Sequence, residues 1–453
     1  MFSKKSFRYI YWFVQEFFKK NLKLILLSSL LSFIFIVVFI SVTPYITTLF
    51  FGKKDVIGIV GKYDYSNLPT DIKIKISNGL VSINNEGVIT PALASYWEVL
   101  DNGLRYRFHL KQNLLWGNGK KFTAYDIHYS FKDVQTSVAD SNTIYFTLKK
   151  PLPIFVTYLT TPIISYPTNG VAGLYTTDYS RQKFGYITEI SLSPNKNGLN
   201  PVVYKFFNTE SEMVNAYKTG DINQMTVSKK SIADVFSSWK NTTVTRDVDY
   251  SSLLTLYFNL NKNIFKEKDI RKAFISAIDN QIFNDEGVSA TGPIPPISWA
   301  HDPLLKPSIY DPETAEKILK KNFTGTESAS LNLYTYYDYL DQADLLLSEF
   351  KKEGLNINLN ILNYEKPADF DLFLAFWKVP VDPDQYFFWH STQTSGNISN
   401  YKNVRVDKLL EDGRNTTSLS ERKQIYLDFQ KTLIDDPPAI FLYYPYIYKI
   451  QRK

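Results

Sequence analysis

The chain has 453 residues, of which 44% are hydrophobic and 21% are charged, and this balance excludes a wholly disordered or fibrous protein. Its length is sufficient for two or three lobes, each with a hydrophobic core of its own. It contains no cysteine, which excludes disulfides, thiol catalysis, cysteine metal sites and a lipidated N-terminal cysteine.

The net charge of +6 is concentrated at the front of the chain. The first 23 residues carry six basic side chains and one acidic side chain, which leaves 45 basic and 44 acidic side chains for the remainder. A nucleic-acid-binding surface needs an excess of Lys and Arg gathered on one face. The nearly neutral remainder therefore argues against a nucleic-acid partner.

Residues 24–42, LILLSSLLSFIFIVVFISV, carry no charge, and as a helix they would span roughly 28 Å, one bilayer crossing. The basic residues before them predict a cytoplasmic tail, 1–23, with the rest of the chain outside the cell membrane. A signal peptide has the same charge order, but its apolar core is usually only about 7–15 residues long. We therefore predict a retained single-pass anchor, followed by a short linker at 43–54.

The first predicted unit after the linker is a hairpin followed by a helix. Asp101-Asn102-Gly103 is a turn signal, and residues 104–110 alternate apolar and polar side chains as a half-buried strand does. After a second turn at 117–119, Thr123 and Asp126 have the spacing of a capping box. The apolar side chains that follow recur at helical spacing and predict a helix through Ile127, Phe131 and Val134.

The second half of the chain predicts a mixed α/β lobe. Asp311 and Pro312 begin one helix, and Asp341–Phe350 forms another between the alternating strands 331–337 and 355–362. Ser418 or Ser420 caps a third, which the prolines at 437 and 438 stop before an apolar strand at 439–444.

The stretch KVPVDPDQYFFWHS, residues 378–391, has three interpretations. Asp382 and Asp384 form a metal-binding Asp-x-Asp, the polar edge of an aromatic ligand cleft, or a turn that begins a helix at Gln385. The first would suit a membrane-anchored metal-dependent glycosyltransferase. However, the rigid proline between the aspartates is awkward for chelation, and no Gly-rich phosphate loop accompanies them. The four histidines have no metal-site spacing, so we expect no metal or cofactor.

Three stretches resemble the solute-binding proteins of oligopeptide and dipeptide ABC importers, the family 5 extracellular receptors. They are GLVSINNEGVITPALASYWEVLDNGLRYRFHLKQNLLWGNGKKFTAYDIHYSFKDV (79–134), SLLTLYFNLNKNIFKEKDIRKAFISAID (252–279) and NYKNVRVDKLLEDGRNTTSLSERKQIYLDFQKTLIDDPPAIFLYYP (400–445). With shorter matches between them, the resemblance covers most of residues 57–450.

This resemblance implies an α/β, two-lobed periplasmic-binding-protein-like fold (type II, large peptide-binding class) after one N-terminal transmembrane helix. Lobe 1 would comprise 55–256 with 443–453, and lobe 2 would comprise 257–442. The chain would cross the hinge near 256–259 and 441–444. The implied function is that of a monomeric, membrane-anchored, non-enzymatic receptor that closes on a peptide or other small solute and docks on ABC transporter permease subunits. A non-transport receptor of the same fold is the alternative.

The segment FLAFWKVPVDPDQYFF, residues 373–388, resembles the strand with which peptide-binding members pair the ligand backbone. The resemblance implies backbone hydrogen bonds from Phe376, Trp377 and Lys378. The family's amino-group-binding aspartate aligns with Val379, which cannot pair with an ammonium, so Asp382 is the candidate replacement. The expected ligand-binding set is Phe376, Trp377, Lys378, Asp382, Asp384, Tyr257, Tyr443 and Tyr444.

Overall fold

The computed structural model describes residues 4–51, 54–84, 86–323, 331–363 and 365–453, with the backbone alone for 4–10 and 43–51. The N-terminal helix α1 is Lys4–Phe51, and its stretch Tyr11–Val42 is long and apolar enough to cross a membrane. None of that stretch is buried against the rest of the protein. The helix continues through most of the predicted 43–54 linker, and the first strand begins at Asp55.

The chain then forms a first set of strands and helices that includes a four-stranded side sheet, β4-β5-β7-β6. The elements are β1 (Asp55–Val60), α2 (Thr70–Ile76), β2 (Val81–Ile83), β3 (Ile89–Pro91), β4 (Ala94–Leu100), β5 (Arg105–Leu110), β6 (Val134–Asp140), β7 (Thr143–Leu148), α3 (Phe155–Tyr158), β8 (Ile164–Ser165), β9 (Asn169–Gly170), β10 (Tyr175–Lys183), β11 (Tyr186–Pro194), β12 (Val202–Phe207), α4 (Glu210–Thr219), β13 (Gln224–Val227), α5 (Lys230–Ser237) and β14 (Thr242–Val248).

The second set completes the fold. Its elements are β15 (Ser252–Phe258), α6 (Asn263–Lys266), α7 (Lys268–Ser276), β16 (Gly287–Ser289), α8 (Pro312–Phe323), β17 (Leu331–Tyr336), α9 (Leu340–Lys352), β18 (Ile357–Leu362), β19 (Leu372–Lys378), α10 (Tyr386–Trp389), α11 (Val404–Asn415), α12 (Leu419–Asp435) and β20 (Ala439–Arg452).

The long strand β20 joins the two lobes. Residues 446–452 pair with β14, whereas residues 439–445 pair with β15 and β16. The strand order is β10-β11-β12-β1-β13-β20-β15-β19-β17-β18, so β20 is shared by the sheets of both lobes. We therefore propose lobe boundaries near 250 and 445, a few residues from the predicted 256 and 442.

The central strands of lobe 2 are covered on both faces. One face of β15 and β19 packs on α7, α8 and α9, and the opposite face packs on α10, α11 and α12. All seven residues of β15 are buried, as is typical of a strand enclosed between two helical layers. Lobe 2 is thus a three-layer α/β lobe, and its sheet can present a ligand site only at strand ends and unpaired edges.

The local signals around Thr123 were only partly correct. Thr123 and Asp126 form the predicted capping box, but the helix stops after one 3₁₀ turn, Ala124–Asp126. The chain is extended at Ile127, and Val134 already belongs to β6. Tyr129 and Phe131 pack instead on the core of the side sheet, and the Tyr129 hydroxyl donates to the carbonyl of Thr161 at 2.8 Å. Tertiary packing outweighs helical periodicity here.

The later capping predictions are confirmed. The Asp311 carboxylate accepts a hydrogen bond from the Thr314 amide at 3.1 Å, with Pro312 as the first helical residue. Ser418, rather than Ser420, caps α12 through the amide of Glu421. The predicted helix 341–350 is α9.

Candidate ligand-binding site

The strand β19 has one fully paired edge and one partly open edge. Along its whole length it pairs antiparallel with β15, from Leu372 to Lys378. On the other side it pairs in parallel with β17, but this register ends where Thr335 lies opposite Leu374. In the described part of the chain no strand continues this pairing beside 375–378. We call this side of residues 375–378 the open edge.

The open edge arises because β17 ends before β19 does. After Tyr336 the chain turns into a 3₁₀ helix, Tyr337–Tyr339, and leaves the sheet. The Tyr339 ring then packs edge-to-face on Phe376, with 5.2 Å between the ring centroids. Tyr337 is 74% exposed. The open edge is therefore bordered by aromatic side chains, and its main-chain groups can pair with an extended ligand.

Trp377 faces the core and not the open edge. Its indole is 7% exposed and packs against Phe388 at 4.5 Å between ring centroids. The indole Nε1 donates to the Thr255 hydroxyl at 3.2 Å. Its neighbour Lys378 is exposed, and its Nζ donates to the Ser252 hydroxyl at 2.7 Å. Among the described residues Lys378 has no salt-bridge partner.

Tyr257, Tyr443 and Tyr444 lie in the core of the protein, with 2%, 2% and 1% exposure. Tyr257 stacks between Phe373 and Trp389. Burial raises the pKa values of all three phenols above the usual range for tyrosine. These positions favour a structural role, and the prediction that the three tyrosines contact a ligand gains no support from their surroundings.

Asp384 forms a bidentate ion pair with Arg414 of α11. Arg414 Nε donates to both carboxylate oxygens, at 3.0 and 2.9 Å, and Nη2 donates to Oδ2 at 2.7 Å. Burial is the largest single influence and lowers the pKa of the Arg414 guanidinium, but the hydrogen bonds to Asp384 and the negative charges nearby together raise the net pKa. The guanidinium also lies 3.9 Å from the ring centroid of Tyr386.

Asp382 is held in the same way by Arg422 of α12. Arg422 Nη2 and Nη1 donate to the two oxygens of Asp382 at 2.8 and 3.2 Å, and Nε donates to the Gly413 carbonyl at 2.9 Å. Only 8% of the Arg422 side chain and 16% of the Asp382 side chain are exposed. Both aspartates are therefore neutralised by arginines, and no local pattern around residues 382–384 predicts these partners.

The backbone of this segment supports the turn interpretation. The Asp382 carboxylate accepts from the Asp384 amide at 3.0 Å, and the Asp384 carboxylate accepts from the Tyr386 amide at 3.1 Å, at the start of α10. Val379 is only 9% exposed, and its amide donates to the Ser251 carbonyl at 2.9 Å. Neither aspartate offers an unpaired carboxylate to an ammonium ion here.

One contact brings lobe 1 to this part of lobe 2. Burial, followed by the charge of Asp384, raises the pKa of the Tyr158 phenol, at the end of α3, to about 12. In the turn between β2 and β3, Gly87 lies directly against the indole of Trp299. The ion pair of Asp382 with Arg422 thus stands beside the interface between the lobes, because the Arg422 guanidinium lies over the Trp299 ring.

Comparison with protein families gives a match over most of the chain. The model for bacterial extracellular solute-binding proteins, family 5 (middle region), matches residues 88–399. The chain is 26% identical to the probable D,D-dipeptide-binding periplasmic protein DdpA of Escherichia coli, over 78% of each chain. It is 23% identical to the periplasmic oligopeptide-binding protein OppA of Salmonella typhimurium, over 83% of this chain and 82% of the relative.

Solved structures share the fold. The ABC transporter substrate-binding protein CtaP of Listeria monocytogenes has a TM-score of 0.73 at 22% identity, and NikZ of Campylobacter jejuni in complex with Ni(L-His) has a TM-score of 0.72 at 23% identity. AppA of Bacillus subtilis, in complex with a nonapeptide, has a TM-score of 0.70 at 22% identity. Each match covers 88% of this chain and 94% of the other.

Proposed function

Because the chain belongs to the bacterial extracellular solute-binding proteins of family 5, which are binding proteins and not enzymes, we propose that it is the membrane-anchored receptor of an ABC importer. Its ligand would be a peptide or a similar extended solute, enclosed between the two lobes. Closure about the segments near 250 and 445 would bring both lobes onto the ligand, and the closed form would dock on the permease. The glycosyltransferase alternative does not fit this family.

The open edge of β19 carries the peptide proposal. An extended chain that adds to a sheet edge is bound through its main chain, so its side chains are read only weakly. Phe376, Trp377 and Lys378 would supply these main-chain contacts, as the resemblance implies. Asp382, Asp384, Tyr257, Tyr443 and Tyr444 would support the cleft wall from behind and would not touch the ligand.

The helix α1 supports the proposal of anchoring. It contains the apolar stretch Tyr11–Val42 and ends at Phe51, and β1 begins four residues later at Asp55. A tethered receptor stays at a high effective concentration beside its permease. The intact mass of the protein extracted from membranes checks this proposal. A cleaved signal peptide would remove roughly the first 40 residues, up to the end of the apolar stretch, and the mass would be lower by that amount.

We expect main-chain pairing to be visible in the response to N-methylated peptides. The full chain, in detergent, would first be screened by native mass spectrometry against a synthetic library of tripeptides to hexapeptides. The tightest binder would then be methylated at one backbone nitrogen at a time. Methylation at alternate positions should weaken binding at least about tenfold, because each loses a hydrogen bond worth roughly 1 kcal/mol and adds a clash at the edge.

The intervening positions of the same peptide are the matched control, since their N–H groups point away from β19. Methylation there should cost less than about threefold, as should changes of side chain. Uniform tolerance of methylation would contradict strand addition. Binding of a nickel–histidine complex, which NikZ of Campylobacter jejuni holds, without binding of any peptide, would contradict the peptide ligand.

The charge at the end of the open edge predicts which peptide terminus lies there. Lys378 is a cation without a salt-bridge partner among the described residues, whereas Asp382 and Asp384 are already paired. We expect a carboxylate of the ligand to lie near Lys378. C-terminal amidation, or Lys378→Met, should weaken binding about 10–100-fold, in keeping with a hydrogen bond to a charged group. Titration calorimetry measures both.

The control for this prediction is Lys408→Met, because Lys408 is exposed on α11 and its one salt-bridge partner within the described residues is Asp412. It should bind free and amidated peptides as the unchanged protein does. A large loss on N-acetylation, with none on amidation, would show that an ammonium is read instead. A non-transport receptor would bind the same ligands, and adjacent permease and ATPase genes would distinguish the importer from it.

A further inference from the structure

We propose that a contact between the lobes, Gly87 with Trp299, holds the closed form and thereby sets ligand affinity without touching the ligand. The inference rests on the proposed function in one respect, because it takes lobe closure to be the binding step. Gly87 is thus a positioning residue.

The contact at Gly87 depends on the absence of a side chain. Gly87 has φ of +79°, in a turn where the Asn84 carboxamide oxygen accepts from the amides of Glu86 and Val88 at 3.0 and 2.9 Å. A Cβ at Gly87 would lie 1.9 Å from Cδ1 and 2.5 Å from Nε1 of Trp299. The edge of the indole therefore rests on the backbone of the turn.

The position of Trp299 is fixed from within lobe 2. The Arg422 guanidinium lies 5.3 Å from the Trp299 ring centroid, and the Tyr426 ring packs edge-to-face on it at 6.1 Å. Arg422 is itself held by Asp382. Asp382 therefore has a structural role: its ion pair fixes Arg422, which packs against the Trp299 ring that contacts lobe 1.

Contacts made only by protein groups stabilise the closed form whether or not a ligand is bound. The apparent dissociation constant is the intrinsic constant divided by the fraction of protein in the competent form. A substitution that hinders closure therefore weakens binding of every ligand by a similar factor. It also changes the conformation of the ligand-free protein, which gives a test that needs no ligand.

The test compares Gly87→Ala with Gly119→Ala. Gly119 has φ of +80° and would place its Cβ with nothing within 4 Å. The two substitutions impose the same kind of backbone strain, but only the first collides with Trp299. Because the chain has no cysteine, Tyr125→Cys and Val404→Cys, both at exposed positions on opposite lobes, give one unique pair of spin-label sites.

Distances between the two labels would be measured by double electron–electron resonance on the ligand-free full chain. We expect Gly87→Ala to lower the ratio of closed to open protein at least tenfold, and Gly119→Ala to leave it within twofold of the parent. Adding Trp299→Ala to Gly87→Ala should restore the ratio toward that of Trp299→Ala alone.

Equal distance distributions for Gly87→Ala and Gly119→Ala would overturn the inference, as would a parent that shows no closed population. The readout is the ratio of closed to open protein in the folded population, so a change in overall stability does not substitute for it. Failure of the peptide library to bind would count against the proposed ligand and leave these distances unaffected. The two failures are therefore distinguishable.

Discussion

Replacing Arg422 with methionine is expected to lower the free energy of unfolding by about 3–5 kcal/mol, because the substitution leaves a largely buried carboxylate without its partner. Asp382 is 16% exposed and would lose both guanidinium hydrogen bonds, while the Gly413 carbonyl would lose its donor. Urea denaturation followed by tryptophan fluorescence measures the change, since Trp299, Trp377 and Trp389 all lie in lobe 2.

The matched control is Lys408→Met, which removes a cation from the neighbouring helix α11. Lys408 and Asp412 form an exposed pair with 67% and 40% side-chain exposure, so the loss should be at most about 0.5 kcal/mol. The double variant Asp382→Leu, Arg422→Met should recover much of the stability, because neither charge is then buried alone. A single variant as stable as Lys408→Met would show that the pair is solvated and dispensable.

The chemistry of Asp382 and Asp384 was undecidable from the sequence because their partners lie far along the chain. Arg422 and Arg414 follow them by 40 and 30 residues, on two helices that return to the segment only in the folded lobe. Within the segment, Asp-Pro-Asp is equally compatible with a metal turn, a cleft edge and a helix start. Of the three interpretations, the structure supports the turn, which depends only on hydrogen bonds between neighbouring residues.

The aromatic residues show a related limit. The sequence placed Tyr257, Tyr443 and Tyr444 near the hinge, but it could not show that β15 and β20 are covered by helices on both faces. A strand enclosed on both faces has no alternating pattern that separates a core side from a cleft side. The hairpin, the later helix caps and the apolar N-terminal helix were predictable because their signals lie within single continuous stretches of the sequence.

The open edge of β19 was predictable only through the family resemblance. The sequence shows an apolar strand at 372–378, but whether an edge is paired depends on where β17 ends, about 40 residues earlier. The structure adds the orientation of the side chains. The Phe376 ring packs against Tyr339 beside the open edge, whereas the Trp377 ring packs against Phe388 in the core.

This orientation makes a specific prediction for Trp377→Ala. The indole is 7% exposed, packs against Phe388 and donates to Thr255, so its truncation should cost about 3–5 kcal/mol in the free energy of unfolding. Phe387→Ala is the matched control, because Phe387 is 47% exposed in the same aromatic segment and should cost less than about 1 kcal/mol. Urea denaturation measures both variants.

Peptide binding by Trp377→Ala separates the two roles that the residue has been assigned. If residues 376–378 contact the ligand through their main chain, the variant should bind peptides within about threefold of the unchanged protein wherever lobe 2 remains folded. Binding is therefore measured at urea concentrations well below the midpoint of denaturation, and circular dichroism checks that the variant is folded there. A variant that is as stable as the parent but has lost peptide binding would place the indole against the ligand, and the strand would then recognise a side chain as well as a backbone.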